Sequence, residues 1–415
     1  MKRNYGVVLL VFVLFFVISF LTNILNPLIP EIKVGFNVGN AMAGFLPFAF
    51  FVAYGVMSIP SGMAIEKYQA KKVMIAAFVM SFIGAFLFAL IPQYSVALIS
   101  LFSIGIGMAM LQVAINPLLR VAGGEENFAF NSVFAQLVFG AASFLSPMVY
   151  SYLVTGIPGD QGNSDFLLST LSGLVPKDLP WVSIYWIFAV ISLVMFLLLM
   201  LIKLPKVELK EEEKSGTWAT YQSLFKDRTV WLFFIGVFAY VGTEQGIANW
   251  ISEFLKSYHG YNPQIEGANA VSLFWGLLTV GCLLGMLLLK FIDSRKVLII
   301  FSSFAMISLS FAIFGPAEIS LYAFPLTGFF LSVMWSIIIS LALNSYAKHH
   351  GSFSGILVTG IVGGAVVPLI VGAIGTFSLK VGLMFLYLTL AYILSIGFWA
   401  KPLVNNKTIN LRKKE

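Results

Sequence analysis

Long apolar runs separated by short polar turns dominate the chain, and the length of those runs decides the class of fold. A membrane-crossing helix needs about 20 mostly apolar residues. Stretches of that kind fall near 6–30, 42–65, 72–92, 95–119, 128–156, 181–204, 229–256, 268–292, 297–316, 319–346, 352–376 and 380–400. The pattern predicts an all-α membrane protein with twelve transmembrane helices. The first run follows Lys2 and Arg3, is too long for the core of a secretory leader and has no small-residue cleavage site, so it reads as a retained helix. Two segments break the rhythm. Residues 205–228 gather charge and read as a cytoplasmic linker, part of it an amphipathic surface helix. Residues 157–180 mix Gly, Asp, Asn and Pro around Phe166, Leu167 and Leu168 and read as an outside loop. The expected organisation is a six-helix bundle over 1–204, the linker over 205–228, a second six-helix bundle over 229–402 and a cytoplasmic tail over 403–415.

Composition agrees: 59% hydrophobic against 10% charged excludes a soluble protein. If both termini are cytoplasmic, all of the 25 Lys and Arg fall inside except Lys33, Lys177, Lys256 and Lys380. The positive-inside rule selects that orientation, in the inner membrane of a bacterium. The net charge of +7 is then topological and calls for no nucleic acid. One cysteine, Cys282, and three histidines, His259, His349 and His350, leave no metal or iron–sulfur framework. No paired acids, nucleophile triad or phosphate-cradling loop suggests an enzyme. The expected partners are membrane lipid and a small solute, with the protein a monomer and no cofactor beyond a co-transported Na+ or H+.

The halves echo one another at an offset of about 223 residues: Gly62-Met63 through Lys71-Lys72-Val73 is matched by Gly285-Met286 through Arg295-Lys296-Val297. The stretch Gly62, Glu66, Lys67, Lys71 resembles the signature of the major facilitator superfamily, with Gln69 in place of its second glycine and Glu66 in place of its aspartate. That resemblance gives these residues a gating role. Four further stretches extend it: Leu111-Gln112 through Asn116-Pro117, Tyr240-Val241-Gly242-Thr243-Glu244, Phe274-Trp275-Gly276, and Ser354-Gly355 through Pro368. Together they resemble the fucose:proton symporter family, especially its glucose/galactose branch. The resemblance implies a major facilitator fold and a sugar site between the two bundles. It also exposes a departure. Where proton-coupled members carry an acid in the first helix and another in the fourth, this chain has Asn26 and Gln112, which cannot exchange protons near neutral pH.

Glu244 is then the one acid well inside a span, and an ionisable group in hydrocarbon is functional by default. Gln245, Asn249 and Trp250 follow it within two helical turns, offering amides for sugar hydroxyls and an aromatic plate for the apolar ring face. Asn23, Asn26, Gln112, Asn116, Asn131 and Gln136 are the comparable set in the first half. A lone buried amide can simply glue helices, at about 0.6 kcal/mol on average. The group exceeds that need. Trp275 and Trp335 lie inside spans instead of at the interfaces and are expected either to stack on the sugar or to pack. With Glu244, Asn26 and Gln112 as coupling candidates, amide oxygens and one carboxylate favour a sodium ion near Asn26 and Glu244 over a proton. The expected function is cation-coupled sugar symport by alternating access, with an uncoupled facilitator or exporter, and less readily a channel, as alternatives.

Overall fold

The computed structural model describes residues 5–123, 128–159, 165–204, 218–346 and 350–403. Hydrocarbon offers no partner for a backbone N–H or C=O, so a spanning segment must satisfy its own. The chain accordingly folds into helices, and no strand occurs among the described residues. Among the described residues twelve helices are long and apolar enough to cross a membrane, beginning with Tyr5–Phe36 and ending with Leu379–Trp399. The protein is an integral membrane protein. An even number of crossings brings both chain ends to one face, called proximal below; the opposite face is distal.

Several spans are broken where hydropathy predicted continuity. The first is helix Tyr5–Asn23, a tight turn at Asn26–Leu28, then helix Ile29–Phe36. Pro27 and Pro30 lack the amide hydrogens a continuous helix would use. The span therefore extends beyond the expected end at 30 and carries Glu31 and Lys33 to the distal side. Span seven stops at Ala248 and a separate helix runs over Ile251–His259, whereas the sequence suggested one helix to 256. Here the Trp250 amide turns to the Ile247 carbonyl at 3.0 Å, a tightened last turn in place of the bond a continuing helix would make, and the Asn249 side chain adds a second donor to the Gln245 carbonyl at 2.8 Å. Span ten divides into Ala317–Leu331 and Met334–Asn344, and span eleven passes through a tight turn at Gly360–Val362.

Outside the spans, helix Phe166–Ser172 sits in the expected distal loop, capped by Asp165, which accepts from the amides of Leu167 and Leu168. The Tyr152 hydroxyl also donates to Asp165, and this bond, with those backbone amides, holds the carboxyl below the usual carboxylate range. Helix Trp218–Leu224 falls within the expected linker, and residues 205–217 lie outside the described residues, as do 404–415 of the tail.

Spans one to six pack among themselves, span three against four and six, and span one against five; spans seven to twelve do likewise, nine against ten and twelve, and seven against eleven. The two bundles meet along spans two and eleven and along spans five and eight. Small residues make this possible, because helices in lipid gain from close backbone approach and not from hydrophobic exclusion. At the second seam a methyl group on Gly140 would collide with the Thr279 side chain, so only glycine fits.

The turn between spans two and three shows what the altered signature does. Lys71 donates to the carbonyls of Met200 (3.3 Å) and Ile202 (2.8 Å), the open end of span six. Both partners belong to the first bundle, and Lys71 here caps a helix. Glu66 and Lys67 are exposed, and Lys67 lies 5.2 Å from the centre of the Tyr68 ring; Gly62 is half-buried within span two. Gln69 has φ 72° and ψ 150°, a backbone region that costs any residue with a Cβ about 1–3 kcal/mol and glycine almost nothing. Gln69→Gly is therefore expected to raise the apparent melting temperature of the detergent-purified protein. A lower melting temperature would show that the Gln69 side chain contributes more than its backbone costs.

Candidate functional site

A cavity of about 360 Å³ lies between the bundles. That is near the lower end of the roughly 300–1,000 Å³ typical of small-molecule sites. Its lining runs from Thr22, Asn23 and Gln245 in the middle of the protein to Met286 and Leu289 at the proximal end of span eight. The cavity thus reaches toward the proximal face.

Polar bonds between the halves close the distal side. Lys33 of the first bundle forms an ion pair with Glu253 of the second, whose carboxylate also accepts from Ser257 at 3.0 Å. Glu31 accepts from Gln264 at 2.9 Å and from Tyr150 at 3.4 Å, and Asn40 donates to the Gly375 carbonyl at 2.8 Å. Glu253 is only 2% exposed, so its partner is what makes its burial tolerable. The three bonds between the halves, Lys33 to Glu253, Gln264 to Glu31 and Asn40 to Gly375, join positions over 200 residues apart, and residue type alone did not point to them.

Seven of the expected residues line the cavity: Asn23, Gln112, Gln136, Glu244, Gln245, Trp275 and Trp335. Glu244 accepts from the Tyr240 hydroxyl at 2.5 Å and from Gln245 Nε2 at 3.3 Å, and no cation pairs with it among the described residues. The Tyr240 ring lies 6.0 Å from that of Trp335, giving the second bundle an aromatic wall beside the acid. Thr22, Tyr54, Ser143, Tyr240 and Thr279 also line the cavity, and none was among the expected binding residues. Tyr240 could have been found, since it stands one helical turn before Glu244 on the same face. Cys282 is a further lining residue, its thiol donating to the Ser332 carbonyl at 3.2 Å.

The remaining expected residues fall elsewhere. Asn26 is behind the lining, where its Nδ2 donates to Gln245 Oε1 at 3.0 Å and its Oδ1 accepts from Trp275 Nε1 at 3.2 Å. Asn249 is buried against Gln245, donating to Gln245 Oε1 at 3.3 Å. Asn131 lies close to Gly123 and Val8, away from the cavity. The Asn116 side chain lies outside what is described. Trp250 is wholly buried against span eleven, its Nε1 donating to the Pro368 carbonyl at 3.1 Å and its ring so close that a Cβ on Gly372 would stand 2.6 Å away. It is not part of the lining.

The arrangement also bears on cation binding. A sodium ion wants several free oxygens converging on one point. Around Asn26 the amide oxygens are already taken: Gln245 Oε1 by two N–H donors and Asn26 Oδ1 by an indole. The sodium preference drawn from the amides therefore lacks its ligand set. Among the described residues no group of three His, Cys, Asp or Glu is placed to hold a metal ion.

Comparison with known proteins fits this architecture. The sequence profile described as the Major Facilitator Superfamily matches residues 11–368. The chain is 29% identical over 401 residues to the "Glucose/galactose transporter" of Brucella abortus, covering 94% of this chain and 93% of that one. It is 25% identical over 376 residues to the "L-fucose-proton symporter" of Escherichia coli, covering 86% and 84%. Among solved structures it resembles a Major Facilitator Superfamily transporter, FucP, in the outward conformation, with a TM-score of 0.68 at 23% identity over 95% of this chain and 98% of that one.

The burial of Trp250 reverses what its sequence position suggested. Trp250→Phe is expected to lose one buried hydrogen bond, about 1 kcal/mol, and Trp250→Ala to cost about 3–5 kcal/mol by leaving a hole beside Gly372. Affinity for the solute in the cavity should change less than about twofold in the Phe variant, roughly 0.4 kcal/mol. A large loss of affinity with unchanged thermal stability would return Trp250 to the binding site.

Proposed function

Since the chain belongs to the Major Facilitator Superfamily, we propose that it is a secondary carrier moving a hexose-like monosaccharide by alternating access, driven by a proton that binds Glu244. The observation that carries this reading is the cavity itself. Amides from both bundles, an aromatic wall formed by Tyr240 and Trp335, and one carboxylate without a cation partner among the described residues converge there. Sugars need that mixture: paired donors and acceptors for hydroxyls and a flat apolar surface for the ring face.

The named relatives support the substrate class and the coupling ion, one being a glucose/galactose transporter and another an L-fucose-proton symporter. Because Asn26 and Gln112 cannot titrate, the acid left for the proton in the cavity lining is Glu244. A proton on Glu244 removes a charge from the cavity and adds an O–H donor beside the solute, which lets the loaded carrier close around a neutral site. The amides that replace the two acids favour one further reading, an uncoupled facilitator.

The positive-inside rule puts the proximal face in the cytoplasm, so the cavity opens inward and the Lys33–Glu253 seal faces outside. The site is then poised to release solute to the cell. Between the bundles, the seams of spans two with eleven and five with eight are the surfaces on which one half rocks against the other.

Uptake into proteoliposomes across a sugar panel tests the reading, with proton and sodium gradients imposed separately. Concentrative hexose uptake is expected with an inward proton gradient and not with a sodium gradient at fixed pH. Accumulation driven by sodium alone would reject proton coupling, and equilibration without accumulation would establish the facilitator. Glu244→Gln is expected to abolish accumulation while sparing sugar exchange, and a fully active variant would remove Glu244 from the mechanism.

A further inference from the structure

A run of hydrogen-bonded side chains leaves the second bundle, passes through one residue of the first and returns to the acid of the cavity. Trp275 Nε1 donates to Asn26 Oδ1 at 3.2 Å, Asn26 Nδ2 donates to Gln245 Oε1 at 3.0 Å, and Gln245 Nε2 donates to Glu244 Oε1 at 3.3 Å. The sense of the run is fixed at its start, because an indole nitrogen has one proton to give and no lone pair to accept with. Turning the Asn26 amide round would set N–H against N–H. Turning Gln245 round would set its nitrogen against the Asn26 nitrogen and its carbonyl against the carboxylate. Asn249 Nδ2 holds the same sense, donating to the Gln245 backbone carbonyl at 2.8 Å and lying 3.3 Å from Gln245 Oε1.

Two of these bonds cross between the bundles. Asn26 belongs to the first, and Trp275 and Gln245 to the second, so both bonds exist only while the distal side is closed. Separation there would leave Gln245 Oε1 with the 3.3 Å contact to Asn249 alone, and its amide would no longer be pinned toward Glu244. Tyr240, the other partner of the acid, behaves differently. It shares a helix with Glu244, so its bond does not depend on how the bundles stand, and its hydroxyl serves a carboxylate as donor or a carboxylic acid as acceptor.

We propose that Asn26 is a positioning residue for the proton site: in the distally closed form it holds the Gln245 N–H on Glu244, which favours the ionised carboxylate and ties proton release to the opening of the cavity toward the proximal face. The inference rests on the proton-carrier reading above. A bond donated to a carboxylate strengthens with its charge, so the form that has the bond binds the proton less tightly than the form that has lost it. Few other ionisable groups face the acid. Tyr54 of span two and Cys282 of span eight share the lining, which among the described residues holds no Lys, Arg or His. Of the helices packed against span seven, that of span eleven brings no ionisable side chain among the described residues. Glu318 and Tyr322 of span ten line a separate groove with Phe311. On span twelve, Tyr387 is bonded to Ser310, Tyr392 to the Leu232 carbonyl, and Lys380 stands over the Tyr258 ring.

The test follows the carboxyl infrared band of the purified full-length protein, without sugar, through a pH titration; the band lost in Glu244→Gln reports the proton on Glu244. Asn26→Leu cannot donate and is expected to move the midpoint upward by about one pH unit, a tenfold gain in proton affinity. Asn26→Ala should do the same, which guards against the leucine variant failing to fold. Gln245→Leu should shift the midpoint in the same direction, and adding either Asn26 change to it should shift the midpoint no further, because Asn26 acts through Gln245. Sugar entry at equal pH on both faces, measured in right-side-out and in inside-out vesicles, tests the link to conformation. The wild type is expected to need about tenfold more protons for half-maximal entry from the proximal face than from the distal face, and the Asn26 variants nearly the same from both. Unchanged midpoints in the Asn26 variants, additive shifts in the double variant, or a side difference as large in the variants as in the wild type overturns the assignment while leaving Glu244 as the proton site. A carboxyl titration that Glu244→Gln leaves intact overturns both.

Discussion

One side-chain amide, Asn26, joins the two halves of this protein where the cavity ends and the distal seal begins. It donates to Gln245 and accepts from Trp275, two lining residues of the second bundle, and it can do so because the first span breaks at its own position. In a bilayer the bundles gain little from hiding apolar surface from each other, so such bonds and close glycine contacts are what hold them in register. The same contact shapes the cavity wall and shuts one side of it. An acid at this position would bring a charge into the junction; an amide satisfies both neighbours with none.

Charge is distributed in keeping with its cost. The Lys33–Glu253 pair lies at the distal end of span one and on the helix that follows span seven, where Lys33 retains some contact with solvent. Deep in the membrane, among the described residues, only Glu244 remains, held by a tyrosine and a glutamine and not by a cation. A cationic partner would lock the acid in its ionised form. A hydroxyl and an amide leave both protonation states within reach, which is what a site that must load and unload in each cycle requires.

Hydropathy made the number of spans and their approximate places legible, and the rarity of polar residues within them singled out Glu244 and the amides of the lining. It could not show where spans break, because Asn26-Pro27 and Asn249-Trp250 differ from their surroundings in hydrogen bonding more than in apolarity. Trp250 misled for a related reason. A helical continuation would have left it beside Gln245 and Asn249, but the break turns it onto Pro368. Asn131 misled because residue type gives no depth, and Lys33 with Glu253 went unseen because a single sequence says nothing about which distant positions meet. Gln69 is the opposite case. Its departure from glycine was visible in the turn, and the positive φ there gives that departure a physical cost.

The span of chain separating the partners in the distal seal has a meaning for biosynthesis. Asn26 and Gln245 are 219 residues apart, Lys33 and Glu253 are 220, and Asn40 and Gly375 are 335. At about 5–20 residues per second, a ribosome needs tens of seconds to make the second member of each pair after the first. For that interval the first bundle stands in the membrane with two amides and an ammonium group awaiting partners not yet synthesised. Nascent first bundles therefore present a recognisable polar scar to whatever surveys membrane insertion, and the scar disappears only when the last spans arrive.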